Sequence, residues 1–138
     1  EKITIDKEVS LEGINGRALD MTLDIDASKA EEFEIKFAKN NEYETIIRYY
    51  SKRNTIEFDR SYSGNYGDIL HKREMKVRDK NGKVKMRLII DKYSVEIFAN
   101  DGEQVMTSTF YTPLDAQDIT LSSKGKSILS IEKHKIDI

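Results

Sequence analysis

Along residues 19 to 26, Leu19, Met21, Leu23 and Ile25 alternate with Asp20, Thr22, Asp24 and Asp26. A period of two puts one set on a core face and the other in water, as in a half-buried strand. The same alternation returns in Phe33, Ile35 and Phe37, in Ile56 and Phe58, in Val84, Met86, Leu88 and Ile90, and in Val95 and Ile97. Turn signals separate these runs: Asn15-Gly16, Asn40-Asn41, Ser63-Gly64-Asn65, Asn81-Gly82, Asp101-Gly102 and Lys124-Gly125. Their residues tolerate positive φ or bond their own backbone. Short strands at fairly regular spacing predict an all-β sandwich or barrel of antiparallel strands. The stretch "ASKAEEFE", residues 27–34, is the one helical candidate and is long enough for a turn or two.

The stretch "SVEIFANDGEQVMTS", residues 94–108, bunches the acids Glu96, Asp101 and Glu103 around the sole Asn-Asp-Gly of the chain. Val95 and Ile97 share one face, and Val105 and Thr107 are placed to pair across from them. Asn100, Asp101 and Gly102 then form a tight structural turn where positive φ is needed. Glu96 falls on the face opposite Val95 and Ile97, beside Phe98. Acids flanking such a turn are ordinarily solvated.

Composition narrows what such acids do. The chain has 138 residues, one domain spanning 1–138, enough to bury about two thirds of its unfolded surface. Its 23 basic and 25 acidic residues nearly cancel, to a net charge of -2, so no basic field attracts nucleic acid. Without cysteine there is no disulfide, thiolate nucleophile or thiolate zinc site. The compartment stays open, bacterial cytoplasm or secreted. No run approaches eighteen apolar residues, and no membrane partner is expected. The chain opens at Glu1 without an initiator Met or a signal-like run, and reads as a piece of something longer.

The candidate chemistry is thin. Glu57 with Asp59, or Asp24 with Asp26, share a strand face at a spacing that suits a glycosidase pair, as do most charged strands. His71 and His134 lie at no metal-ligand spacing and read as surface residues, so no metal or cofactor is expected. Asp24 to Ser28 lacks the glycine of a calcium loop, and Ile25 continues a strand. Ser61, Ser63, His71 and Asp59 share a loop region without a nucleophile elbow. The loop "DRSYSGNYGD", residues 59–68, is the best contact candidate for carbohydrate or a partner. Tyr62 and Tyr66 would lay rings on sugar C–H surfaces while Asp59, Arg60 and Asn65 bond hydroxyls. The plainer expectation has the tyrosines closing one end of the sandwich and Arg60 paired with a carboxylate.

"MRLIIDKYSVEIFANDGEQVMTSTFY", residues 86–111, resembles the C-terminal signature of glycoside hydrolase family 32, the invertases, levanases, inulinases and sucrose-6-phosphate hydrolases. "FDRSYSG", residues 58–64, is similar to that family's Asp-Arg-Ser motif. Lys92-Tyr93 stands where the family more often has Arg-Ser. The resemblance implies an antiparallel two-sheet sandwich of lectin-like jelly-roll type. It also implies a partner in the same polypeptide, an N-terminal five-bladed propeller carrying the catalytic carboxylates. The propeller's Glu-Cys and Asn-Asp-Pro segments cannot be present, since the chain has no cysteine and its one proline, Pro113, follows Tyr111-Thr112.

Two functions follow. One is a non-catalytic accessory module of a β-fructosidase, stabilising or oligomerising the propeller. This version predicts an apolar surface patch to which Phe98, Phe110 or Tyr111 contribute. The other is a stand-alone lectin-like module that binds fructan or another carbohydrate.

Overall fold

The computed structural model describes residues 2–11, 13–60, 72–110 and 112–135. In chain order the strands are β1 (Ile3–Ile5), β2 (Leu19–Lys39), β3 (Thr45–Tyr50), β4 (Thr55–Asp59), β5 (Lys72–Lys76), β6 (Lys83–Asp91), β7 (Ser94–Ala99), β8 (Gln104–Thr109) and β9 (Asp118–Lys135). Every pairing among them is antiparallel. No described residue is helical, so no helix is long and apolar enough to cross a membrane.

Two long strands organise the sandwich. The first half of β2 pairs with β6, from Leu19 opposite Ile90 to Asp26 opposite Lys83. Its second half pairs with β3, from Glu32 opposite Tyr50 to Phe37 opposite Thr45. Along its other edge β2 is followed by β9, which also carries β1. One layer therefore runs β5-β4-β3-β2 and the other β2-β6-β7-β8. The ladder with β9 slips between Asp26 and Lys29 and again between Ala30 and Glu32. Bulges of this kind bend a strand and let it pass from one layer to the next.

Those slips overturn two expectations. "ASKAEEFE" is strand throughout, and its helix-like spacing arises because the bulges break the period of two while Ala27, Ala30 and Phe33 still reach the core. Lys124-Gly125 is not a turn between strands. It lies inside β9, where Gly125, at φ 97°, stands opposite Ala30 in the bulge.

The core is the set that the alternation names, with additions. Leu19, Met21, Leu23, Phe33, Ile35 and Phe37 from β2 meet Ile56, Phe58, Met86, Leu88, Ile90, Val95 and Ile97, all at most 1% exposed. Phe110, expected at the surface, is wholly buried and sits edge-on to Phe37 at 5.3 Å. That T-shaped arrangement is favoured by the ring quadrupoles. The large apolar side chains that are exposed among the described residues are Tyr93, Val105, Leu114 and Ile128.

The β7–β8 hairpin is offset by one residue from the expected pairing. Ile97 faces Met106 and Val95 faces Ser108, while Val105 lies across from Phe98 and Thr107 from Glu96. The connection holds four residues, Asn100 to Glu103, because Ala99 pairs with Gln104. A shift of one residue moves every side chain to the other face. Met106 is therefore in the core and Val105 is 51% exposed. Arginines close the far edge of β8: Arg73 Nη1 donates to Thr107 O at 2.7 Å, and Arg60 Nη1 to Thr109 O at 2.8 Å. Capping edge carbonyls in this way blunts strand-to-strand association.

Candidate functional site

On the outer face of the β2-β3-β4 layer, register places Glu34, Arg48 and Glu57 side by side, because Glu34 pairs with Arg48 and Arg48 with Glu57. Alternation adds Glu32 and Asp59 to the same face. Arg48 Nε lies 2.7 Å from Glu34 and 3.3 Å from Glu32, and its Nη1 lies 2.8 Å from both Glu57 and Asp59. Lys124 on β9 adds a second cation, 3.2 Å from Glu32. Tyr50 donates its hydroxyl to Glu57 at 3.3 Å and Ser122 donates to Glu34 at 3.2 Å.

The face is poorly solvated for so many charges: Asp59 is 2% exposed, and Glu32 and Glu57 are 7% exposed. Burial opposes the Arg48 charge, but hydrogen bonds to Asp59, Glu34 and Glu57 outweigh it and hold the guanidinium proton more tightly than usual. Burial likewise pushes the Glu34 carboxyl up, yet the Arg48 hydrogen bond and charge bring it below its ordinary value. The cluster is a lattice of carboxylates around one arginine fork. The downward shift of Glu34 runs opposite to the raised carboxyl that acid catalysis needs.

Several other acids are tied down by neighbours. Asp101 lies 2.8 Å from Lys85, whose hydrogen bond lowers its pKa. Glu103 reaches Arg78 at 3.2 Å and Lys80 at 3.8 Å. Asp26 accepts from the hydroxyl of Ser28 at 2.6 Å and its amide at 3.1 Å, and these bonds lower its pKa. Glu96 is exposed on the outer face of β7. Among the described residues no group of His, Cys, Asp and Glu is placed to hold a metal.

Asp59 and Arg60 are neighbours in sequence but engage different partners. Asp59 belongs to the Arg48 cluster, whereas buried Arg60 donates to the carbonyl and hydroxyl of Thr109 at 2.8 and 3.0 Å, bridging β4 to the end of β8. Tyr62 and Tyr66 lie outside the described residues, as does His71. Asn100, Asp101 and Gly102 sit in the β7–β8 connection with φ of 53°, 60° and 88°. Asn100 is buried and knits the turn to β6. Its amide donates to Lys85 O at 2.8 Å, and its Oδ1 accepts from the Lys85 amide at 3.1 Å.

Sequence reasoning passed over Arg48, Glu32, Glu34 and Arg17. Arg48 lies in "TIIRYY", whose burial on both faces hides the strand period. Arg17 is buried outside any strand, donating to the carbonyls of Lys92, Thr112, Pro113 and Ala116. An arginine at the centre of apolar "IIRYY" was the available signal for the first; nothing local marks the second.

Comparison with known proteins gives this geometry its family. The model for "Glycosyl hydrolases family 32 C terminal" matches residues 1–137. Sucrose-6-phosphate hydrolase of Staphylococcus xylosus is 31% identical over 124 residues, 88% of this chain and 25% of that protein. Levanase of Bacillus subtilis (strain 168) is 29% identical over 134 residues, 91% of this chain and 20% of that protein. The chain thus spans a quarter or less of the length of these two relatives. The crystal structure of exo-inulinase from Aspergillus awamori superposes with a TM-score of 0.85 at 22% identity, over 99% of this chain and 29% of that one. Matched from end to end by that model and sharing its sandwich, this chain belongs to the C-terminal domain family of the family 32 glycosyl hydrolases.

Proposed function

We propose that this chain is the non-catalytic C-terminal β-sandwich of a longer β-fructosidase. The parent enzyme hydrolyses terminal fructosyl bonds of sucrose, sucrose phosphate, levan or inulin, and the sandwich stabilises its catalytic propeller. The observation that carries this reading is the family match over residues 1–137 in a chain that covers only 25% of a sucrose-6-phosphate hydrolase and 20% of a levanase. The chemistry agrees. Retaining cleavage needs a nucleophilic carboxylate and a protonated acid about 5 Å apart. Here Glu57 and Asp59 share one arginine nitrogen, and the displaced carboxyls Asp26, Glu34 and Asp101 are all displaced downward. The segment that begins at Asp59 and Arg60 and includes Tyr62 and Tyr66 is the proposed contact with the propeller or its sugar.

Incubating the purified chain with sucrose, levan and inulin tests the reading. No fructose should appear above a buffer blank, and adding the propeller of the parent polypeptide should raise the melting temperature of both parts. Turnover that disappears in Glu57→Gln or Asp101→Asn would overturn it.

A further inference from the structure

The outer face of the other layer carries a second feature, independent of that reading. Strand register aligns Glu132, Thr22, Arg87, Phe98 and Val105 in one row across β9, β2, β6, β7 and β8. At about 4.8 Å between strands, the row is roughly 19 Å long, the reach of a short oligosaccharide. The row crosses a depression of about 720 Å3 lined by Thr22, Arg87, Phe98 and Glu132, with Asp20 and Asp101 among its other walls. Its size falls in the range of small-ligand sites.

Phe98 is half-buried there, although its strand neighbours Ile97 and Ala99 point into the core. An aromatic ring on the solvent side of a sheet offers an apolar plate in a polar setting. Arg87 beside it is fixed: Nε and Nη2 donate to Asp20 at 2.9 and 2.6 Å. That fork uses two of five guanidinium N–H groups, leaving others to donate. Lys85 is held by Asp101 at 2.8 Å. The two cations that line the depression are each matched by a carboxylate on the same face and Glu132 adds a third acid, so the face has no surplus positive charge to draw an anion but presents fixed donors and acceptors. Of the large apolar side chains exposed among the described residues, only Val105 joins the row, too little for the apolar centre of a protein interface.

We infer that this face binds a neutral oligosaccharide, with Phe98 stacking on a sugar ring and Arg87 and Thr22 bonding its hydroxyls. The acids of the lining argue against an anionic ligand, and the single flanked ring argues for the alternating apolar and hydroxylated faces of a neutral sugar.

The test is an NMR titration of the full chain with inulin- and levan-derived oligosaccharides, and in parallel with malto- and cello-oligosaccharides. At millimolar sugar, amide shifts should concentrate at Thr22, Arg87, Phe98 and Val105, for at least one series. Phe98→Ala should weaken that binding about tenfold. Arg87→Lys, on an exposed position that keeps the charge but loses the fork, should weaken it with an unchanged melting temperature. Absence of shifts with every series overturns the inference, as do shifts confined to the face around Asp59. Shifts at this row produced by the propeller protein and by no sugar would make it a protein interface and also overturn it.

Discussion

Arg48 Nη1 stands 2.8 Å from Asp59 Oδ2, joining β3 to the last residue of β4 on a face where the Asp59 side chain is 2% exposed. The same guanidinium holds Glu34 and Glu57, so one residue on β3 compensates charge on both flanking strands, β2 and β4. Taking one partner out of a buried ionic cluster costs more than the cluster contributes, because the remaining charges keep their desolvation penalty.

Arg48→Met should therefore lower stability at neutral pH by on the order of 3–5 kcal/mol, read from urea melts. The loss should shrink in acid. Glu34 has a folded-state pKa below its ordinary value of 4.5, so its contribution is present above that value and fades as pH falls through the folded pKa. The gap between wild type and Arg48→Met should narrow below pH 4.5 by the share that Glu34 carries. An equal gap at neutral and acid pH would show that Arg48 acts by packing alone.

Two glycines with positive φ separate backbone strain from crowding. Gly102, at φ 88° in the β7–β8 connection, has nothing within 4 Å of where a Cβ would stand. Gly102→Ala should cost about 1 kcal/mol, the strain of the left-handed conformation alone. A Cβ on Gly125 would meet Lys29 O at 2.8 Å and Ala30 Cα at 2.9 Å, both backbone atoms of the neighbouring strand. Gly125→Ala should cost about 3 kcal/mol or more, since strain and overlap add. Denaturant midpoints for the two variants should separate clearly; coincident midpoints would mean that the bulge yields.

The same glycine illustrates what the sequence shows and hides. Lys124-Gly125 and Asn81-Gly82 carry the same local signal, but one lies inside β9, facing a bulge of β2, and the other lies between β5 and β6. Strands with one wet face, such as Leu19 to Ile25, declare their period. In β3, Thr45, Ile46, Ile47 and Tyr49 are all buried, and the period vanishes. The candidate site was legible only at Asp59 and Glu57. Its assembly depends on register between β2, β3 and β4, which brings Glu34 and Glu57 to opposite sides of Arg48. No local pattern encodes that pairing.

Tyr49 has a fully buried hydroxyl with no hydrogen-bond partner among the described atoms. Burial pushes its pKa up to about 12 from 10.0. Above pH 10 the unfolded chain sheds this proton while the folded chain keeps it, so stability falls between pH 10 and 12. Across that window the loss is on the order of 2–3 kcal/mol. Tyr49→Phe should abolish this part of the alkaline decline. It should also raise stability at neutral pH by about 1 kcal/mol, because an unpaired polar group leaves the core. Thermal melts at neutral and alkaline pH check both; a destabilised Tyr49→Phe would reveal a partner for the hydroxyl.

Arg17 ties together two segments that no ladder joins. Its Nη1 donates to Pro113 O at 2.6 Å and Ala116 O at 3.2 Å, its Nη2 to Thr112 O at 3.3 Å, and its Nε to Lys92 O at 3.0 Å. The guanidinium also lies 5.0 Å from the Phe110 ring centre and 5.5 Å from that of Tyr93. Burial lowers its pKa, the expected cost of desolvating a cation served mainly by carbonyl dipoles. A lysine ammonium carries three donors from one point and cannot span four carbonyls on two segments as a planar fork does. Arg17→Lys should thus cost on the order of 2–3 kcal/mol despite keeping the charge. The loosening should be local. Amide exchange at Phe110, bonded to Tyr93 O, and at Ala116, bonded to Pro113 O, should accelerate more than exchange in the β2–β6 ladder around Leu23. Uniform acceleration across the sandwich would instead show that Arg17 stabilises the whole fold and not the junction of these segments.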